Sequence, residues 1–279
     1  MHLLTILIVV SIAILLRSRT VSATKEWSSR WYQTLFLFCF PGLLMLTTAV
    51  AVLYMGCHGH MLGMRAGSVG CLIAIGLILF ASASWFKLAY QSYCSLHQLR
   101  CYPQETIANT TARVLDLELP YSAQAGFWQS ELIVSRGLLT VLDAEHLTAV
   151  VAHEQAHAKY RDPFWFFWLG WIRSFSFWLP NTEALWQELL LLRELRADRQ
   201  ATESVDFLLL AESLLAVAKA PLEPAVGYIG FNDAQTGDRL QVRIDSLLNQ
   251  TESIEEHCWQ RCTWLGWLFL PWLTIPLHY

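Results

Sequence analysis

Apolar residues run almost unbroken in the first third of the chain and again at its end, with periodic patterns between. Residues 3–16, Leu-Leu-Thr-Ile-Leu-Ile-Val-Val-Ser-Ile-Ala-Ile-Leu-Leu, fall short of the roughly 20 apolar residues a bilayer core requires, although with Met1 they fit a thinner one. Residues 35–55, interrupted by Pro41, and residues 69–86 are fuller runs separated by a short turn that holds one basic residue, Arg65, and together they predict a helical hairpin. Leu115, Leu117 and Leu119 then alternate with Asp116 and Glu118 up to Pro120, which predicts a strand with one buried face. Phe127-Trp128 and Leu132-Ile133-Val134 flank a polar triplet and predict a second extended element. A helix is expected from Ala144 to Tyr160, capped by Asp143 and stopped by Pro163. Residues 164–179 are aromatic almost throughout and contain Arg173, the pattern of an interfacial helix, with a buried core helix as the rival. Asn181 or Thr182 caps a further helix reaching about residue 203, residues 205–219 form another, Gly227 to Gly237 reads as a loop, and residues 238–257 form an amphipathic helix. Residues 263–277 are apolar but short, with Pro271 and Pro276, and are expected to make a fourth span or a membrane-associated segment.

Of the 279 residues 54% are hydrophobic and only 15% charged, with 13 Trp and a positive mean hydropathy, so the expected class is a mainly α-helical membrane protein with the lipid bilayer as a partner. A net charge of −4 without a basic run excludes nucleic acid as a partner, since phosphate binding needs clustered Lys and Arg. Val21-Ser22-Ala23 has the look of a signal-peptidase site, but no basic residue precedes the first apolar run, whereas Arg17 and Arg19 follow it. That order favours an uncleaved anchor with its N-terminus outside. Arg17, Arg19, Lys25 and Arg30 precede the second span, and Lys87 and Arg100 follow the third, which puts both regions in the cytoplasm of a multi-pass inner-membrane protein. The resulting plan is a membrane region over 1–90 with helices at about 2–17, 35–55 and 69–88, a cytoplasmic domain over 91–262 with a small sheet, and a C-terminal segment over 263–279.

Seven scattered cysteines, an odd number, suit reduced thiols. Cys258 and Cys262 stand one helical turn apart without a second pair, and His58 and His60 sit in a polar turn, so neither pair makes a zinc site by spacing alone.

The chemistry is concentrated in His153-Glu154-Gln155-Ala156-His157. Four residues turn a helix by about 400°, so the two histidines project from one face and can share a zinc ion at about 2.1 Å from each nitrogen, with Glu154 beside the open coordination position. Zinc brings the pKa of its water towards neutrality, and a neighbouring carboxylate can take the proton and pass it to a leaving amine. A third ligand has to come from elsewhere. Glu194-Leu-Arg-Ala-Asp198 provides Glu194 as that ligand, with Asp198 on the same face as the group that orients a ligating histidine. Read without the histidine motif, Arg193, Glu194, Arg196, Asp198 and Arg199 would be a solvated charged face. Glu188 competes as third ligand from a different face, and Asp162 either supports a ligand or caps the turn before Pro163. Tyr160, Tyr228 and His257 are candidates by residue type alone for stabilising an oxyanion.

At these residues the sequence resembles the BlaR/MecR family of integral-membrane zinc peptidases, related to the HtpX and prenyl-protein (CaaX) endopeptidases within the gluzincins. The likeness covers most of residues 112–250, through Leu132-Ile-Val-Ser-Arg-Gly-Leu-Leu, Leu147 to His157, Arg161-Asp162-Pro163, Trp178-Leu-Pro-Asn181 and Arg193-Glu194-Leu-Arg-Ala-Asp198. The resemblance implies a gluzincin-like α+β peptidase domain holding one Zn2+ per chain on His153, His157 and Glu194, with Glu154 as base. It also implies three spans, a cytoplasmic domain and a fourth span. Ala197 stands where many relatives have Cys. Receptors of this type carry a penicillin-binding sensor beyond the last span, with no counterpart before Tyr279, so a β-lactam receptor role is not expected. The expected function is a membrane zinc endopeptidase acting on membrane proteins or a cytoplasmic regulator. The competing expectation is a signalling or scaffold protein with a structural or vestigial zinc site. Charged residues around the metal helix argue against a third arrangement, in which that helix itself crosses the bilayer.

Overall fold

The computed structural model describes residues 1–20, 26–58, 60–61, 64–65, 67–219, 237–249 and 259–277. Tyr228, His257, Cys258 and the 227–236 loop lie outside them, as do the suggested cleavage site and Lys25. Contacts divide the chain into two units. The first comprises Met1–Ala89, Trp168–Leu190 and Ser253–Tyr279, and the second Tyr90–Phe167 and Leu191–Glu252. These units are not linear segments, because helices that begin in one continue into the other.

The first unit is helical. Helix α1 (His2–Arg17) and helix α2 (Trp27–Met55) are followed by the short strands β1 (His60–Met61) and β2 (Met64–Arg65) and by helix α3 (Ser68–Leu99). Helices α2 and α3 are each long and apolar enough to cross a membrane, whereas α1 is shorter. Cys57 and Cys71 are joined in a disulfide between the turn after α2 and the start of α3, which corrects the expectation of reduced thiols; they meet because the hairpin brings positions 14 residues apart to a Cα separation of 5.7 Å. Arg17 is fully buried, and its guanidinium donates to the Phe38 carbonyl at 2.9 Å and to the Ser176 and Thr182 hydroxyls at 3.2 Å each. Those bonds tie the end of α1 to the residue that opens a later helix. The C-terminal segment is a 3₁₀ helix (Trp259–Leu277) containing both prolines, which cannot donate to a helical ladder.

The second unit holds a four-stranded mixed sheet of strands β3 (Gln104–Ile107), β4 (Thr110–Leu115), β5 (Ser122–Ala125) and β6 (Glu131–Ser135), in the order β3-β4-β6-β5. Only the β4–β6 pairing is parallel. Ala108 and Asn109 both adopt positive φ, 44° and 62°, between β3 and β4, as a tight two-residue hairpin requires. The expected strand through Leu119 ends instead at Leu115, and Phe127-Trp128 form a turn rather than a strand. The reason lies in Ser135 and Gly137. Residues 117–121 bond back to them: the Gly137 amide donates to the Leu117 carbonyl, the Ser135 hydroxyl donates to the Leu119 carbonyl, and the Tyr121 amide donates to the Ser135 hydroxyl. A Cβ on Gly137 would lie 1.8 Å from the Glu118 carbonyl oxygen, so only glycine admits this strap.

Ala112, Val114, Leu132 and Val134 alternate towards one face of the sheet. There they bury against helix α4 (Arg136–Val141) and against Val150 and Val151 of helix α5 (Ala144–Lys159). Asp143 caps α5 as expected, its carboxylate accepting from the His146 amide at 2.9 Å. Pro163 does more than stop that helix, because it lies in the first turn of helix α6 (Asp162–Ser176), where a missing amide proton costs nothing. Helix α7 (Thr182–Ala201), helix α8 (Phe207–Lys219) and helix α9 (Gly237–Asn249) follow. Ala149, Ala201, Leu210, Ala211 and Leu247 pack α5, α7, α8 and α9 into one core within this unit.

Candidate metal centre

Helices α5 and α7 each present a pair of residues four apart. His153 and His157 come from the first, Glu194 and Asp198 from the second. The His153 and His157 Nε2 atoms are 3.1 Å apart, and Glu194 sends Oε2 to within 3.3 Å of the former and Oε1 to within 3.6 Å of the latter. Donors bonded about 2.0–2.2 Å from a tetrahedral zinc stand roughly 3.3–3.5 Å from one another, so these three side chains match a zinc ligand triangle. Their ligand atoms form a possible metal site, the only such group among the described residues.

The tautomers point the same way. Asp162 Oδ2 lies 2.7 Å from His157 Nδ1. Asp198 Oδ1 lies 2.8 Å from His153 Nδ1, an ion-pair contact that misses hydrogen-bond geometry. A carboxylate beside each Nδ1 favours a proton there, which in the neutral ring leaves Nε2 as the free ligand atom. Two lone pairs 3.1 Å apart repel unless a cation lies between them, and the donor set is therefore built for a shared metal or, without it, for protons.

Glu154 is buried beside His153, and the Ser122 hydroxyl of β5 donates to its Oε1 at 2.7 Å. Asp162 is shared between His157 and Arg196, an arrangement consistent with supporting a ligand rather than only capping a turn. Glu188 is paired with Arg30 at 2.7 Å and does not belong to the candidate ligand group. Tyr160 is engaged by Gln200 and by the guanidinium of Arg196 above its ring. Of the charged stretch on α7, Arg193, Glu194, Arg196 and Asp198 are turned inward into ion pairs, while Arg199 is exposed.

Sequence reasoning missed Ser122 and Arg243. Arg243 holds Asp198 with both arms of its guanidinium at 2.7 Å and reaches Glu194 at 3.4 Å. It arrives there because Leu247, one turn on, anchors α9 in the core. An arginine on the same helical face as Leu247 was the available signal, but nothing in the linear pattern says which helix that face meets.

Electrostatics keep the site charged despite its burial. Burial alone raises the Glu194 carboxyl, but Arg193, protonated His157 and Arg243 outweigh it and hold the group well below the ordinary carboxylate range. Burial likewise raises Asp198, and Arg243 brings it down. Burial pushes His153 down, yet the Asp198 and Glu194 carboxylates lift it to about 9, and His157 moves up for the same kind of reason. Burial and the Glu154 charge, opposed by Arg193, raise the Tyr121 phenol, which therefore stays a hydrogen-bond donor at neutral pH.

These shifts predict a linkage. In the metal-free protein the folded pKa of His153 exceeds its ordinary 6.5, so its imidazolium contributes stability below pH 6.5 that is lost as pH rises through about 9. Metal competes for the same lone pairs, so zinc binding near neutral pH releases protons and tightens as pH climbs towards about 9. Calorimetric titration in buffers of different ionisation enthalpy should show the release; pH-independent affinity with no proton release would contradict it.

Residues 111–219, from β4 through α8, match the model of peptidase family M48, a likeness to the peptidases of that family. The match includes His153, Glu154, His157 and Glu194 but not Arg243, and it does not single out the BlaR/MecR type. No curated protein matches the chain.

Proposed function

We propose that this protein is an integral-membrane zinc endopeptidase of the BlaR/MecR type, anchored in the inner membrane with its peptidase unit in the cytoplasm. The observation that carries the reading is the convergence of His153, His157 and Glu194 at zinc-ligand spacing, with the buried Glu154 carboxylate next to it. His153, His157 and Glu194 would hold the zinc ion, which when bound would supply Lewis acidity to a water molecule. Glu154 accepts the water proton and returns it to the leaving nitrogen, while the Ser122 hydroxyl fixes which carboxylate oxygen faces the reaction. Asp198 and Asp162 hold the Nδ1 protons of the histidines, and Arg243 holds Asp198. Among the described residues strand β5 pairs only with β6, so its outer edge offers backbone groups to an extended peptide directly beside Glu154.

The membrane part rests on independent support. In its most apolar stretch α3 is only 22% buried, with Leu72, Leu79 and Phe86 exposed, a surface suited to lipid and poorly suited to water. The basic residues at one end of the α2–α3 hairpin support a cytoplasmic position for that end, and the Cys57–Cys71 disulfide at the opposite end suits an oxidising compartment.

Purified full-length protein should contain one zinc per chain and cleave a partly unfolded protein substrate. A chelator should abolish the cleavage and added zinc should restore it. A protein that neither holds zinc nor cleaves would favour the scaffold reading.

A further inference from the structure

We propose that the Phe127-Trp128 turn and the first turn of α6 form a lipid-facing rim of the peptidase unit, whose partner is the headgroup layer of an anionic membrane. Phe127, Trp128, Phe164 and Phe167 make one ring cluster, with centroids 4.8 Å apart for Phe127–Phe164 and 5.3 Å apart for Trp128–Phe164 and Phe127–Phe167. The cluster is buried at its base, at Phe167, and bare at its top, where Trp128 is 74% and Trp165 56% exposed. Rings that project this far are not the walls of a pocket, which would enclose its ligand. They have the form of an interfacial anchor, with the body of the indole in the acyl boundary and its N–H among headgroups.

The turn is constructed to project them. Gly126 has φ +139°, and a Cβ there would lie 2.2 Å from the Gln129 carbonyl oxygen, so the chain folds tightly under Phe127 and Trp128. Charge identifies the partner. Lys159 and Arg161 are exposed at the corner leading into α6, and the Arg161 carbonyl accepts from the Phe164 and Trp165 amides, so the Arg161 backbone joins the turn that carries the rings. The one acid in these two stretches, Asp162, is buried between His157 and Arg196. An aromatic surface with exposed cations and no exposed carboxylate complements anionic lipid. Strand β5 ends at Ala125, two residues before Phe127, so on the peptidase reading above, on which this consequence rests, a substrate segment leaving the bilayer meets the edge strand first.

The test reconstitutes the full chain into phosphatidylcholine–phosphatidylglycerol bilayers brominated near the headgroup end of the acyl chain, near its tail, or not at all. The fluorescence of Trp128→Phe and of Trp165→Phe is subtracted from that of the parent. Both substitutions keep a ring at an exposed site, and an unchanged thermal melt checks the fold. Each difference component should lose most of its intensity to shallow bromine, little to deep bromine and little to aqueous acrylamide, with weaker shallow quenching in pure phosphatidylcholine. Components open to acrylamide and untouched by bromine would overturn the proposal. So would their protection by an apolar peptide in detergent, which marks a substrate pocket, and quenching indifferent to phosphatidylglycerol would remove the anionic headgroup as partner. The readout needs no turnover, so it stands or falls separately from the peptidase reading.

Discussion

Glu154→Gln should retain zinc at the parental stoichiometry and lose about 10²–10⁴-fold in kcat, the usual contribution of a positioned general base. Glutamine keeps the shape of the side chain and the acceptor that the Ser122 hydroxyl meets, but it cannot take a proton from water. The substitution leaves Nε2 of His153 and His157 and both oxygens of Glu194 in place, so the metal and the fold should be unaffected. Zinc analysis, a thermal melt and turnover of one substrate on the same preparation decide the matter. Equal turnover by variant and parent would show that Glu154 is not the base and would return the scaffold reading to first place.

Glu194→Gln should act at the earlier step and release the metal. Loss of an anionic ligand must weaken zinc binding beyond the roughly 10–100-fold typical of removing a residue that only supports a ligand. It also strips Arg193 and Arg243 of the carboxylate they share. Arg243 keeps Asp198, but Arg193 loses the carboxylate it is paired with, so the metal-free variant should melt below the metal-free parent. Competition with a zinc chelator and paired melts test both halves. Unchanged affinity would remove Glu194 from the ligand set, and Asp198→Asn, which spares all three proposed ligands, should lose affinity by the smaller factor.

The two helices that carry the site were legible because helical periodicity is local: His153 and His157, like Glu194 and Asp198, share a face by spacing alone. That Asp143 caps α5 could likewise be read from its place before an apolar-periodic run. The strands were less legible. Alternation of leucines with acids extends to Leu119, but the ladder stops at Leu115 because Ser135 and Gly137, some 20 residues later, bind the intervening backbone. Hydrogen bonds to a distant segment outweigh a short alternating pattern whose strand preference is weak.

The sequence by itself determined the candidate metal-binding residue types, their helical faces, and two helices apolar enough for a membrane, since each depends on the order of neighbouring residues. Only the tertiary structure decided which carboxylates meet which histidines. It paired Glu188 with Arg30, gave Asp162 to His157 and Asp198 to His153, and brought Ser122 and Arg243 to the site from an edge strand and a helix far along the chain. Charge on α7 has the same pattern whether it faces water or a buried metal site. The difference lies in burial, which makes each unpartnered charge costly and so requires every carboxylate and guanidinium around the histidines to find a partner.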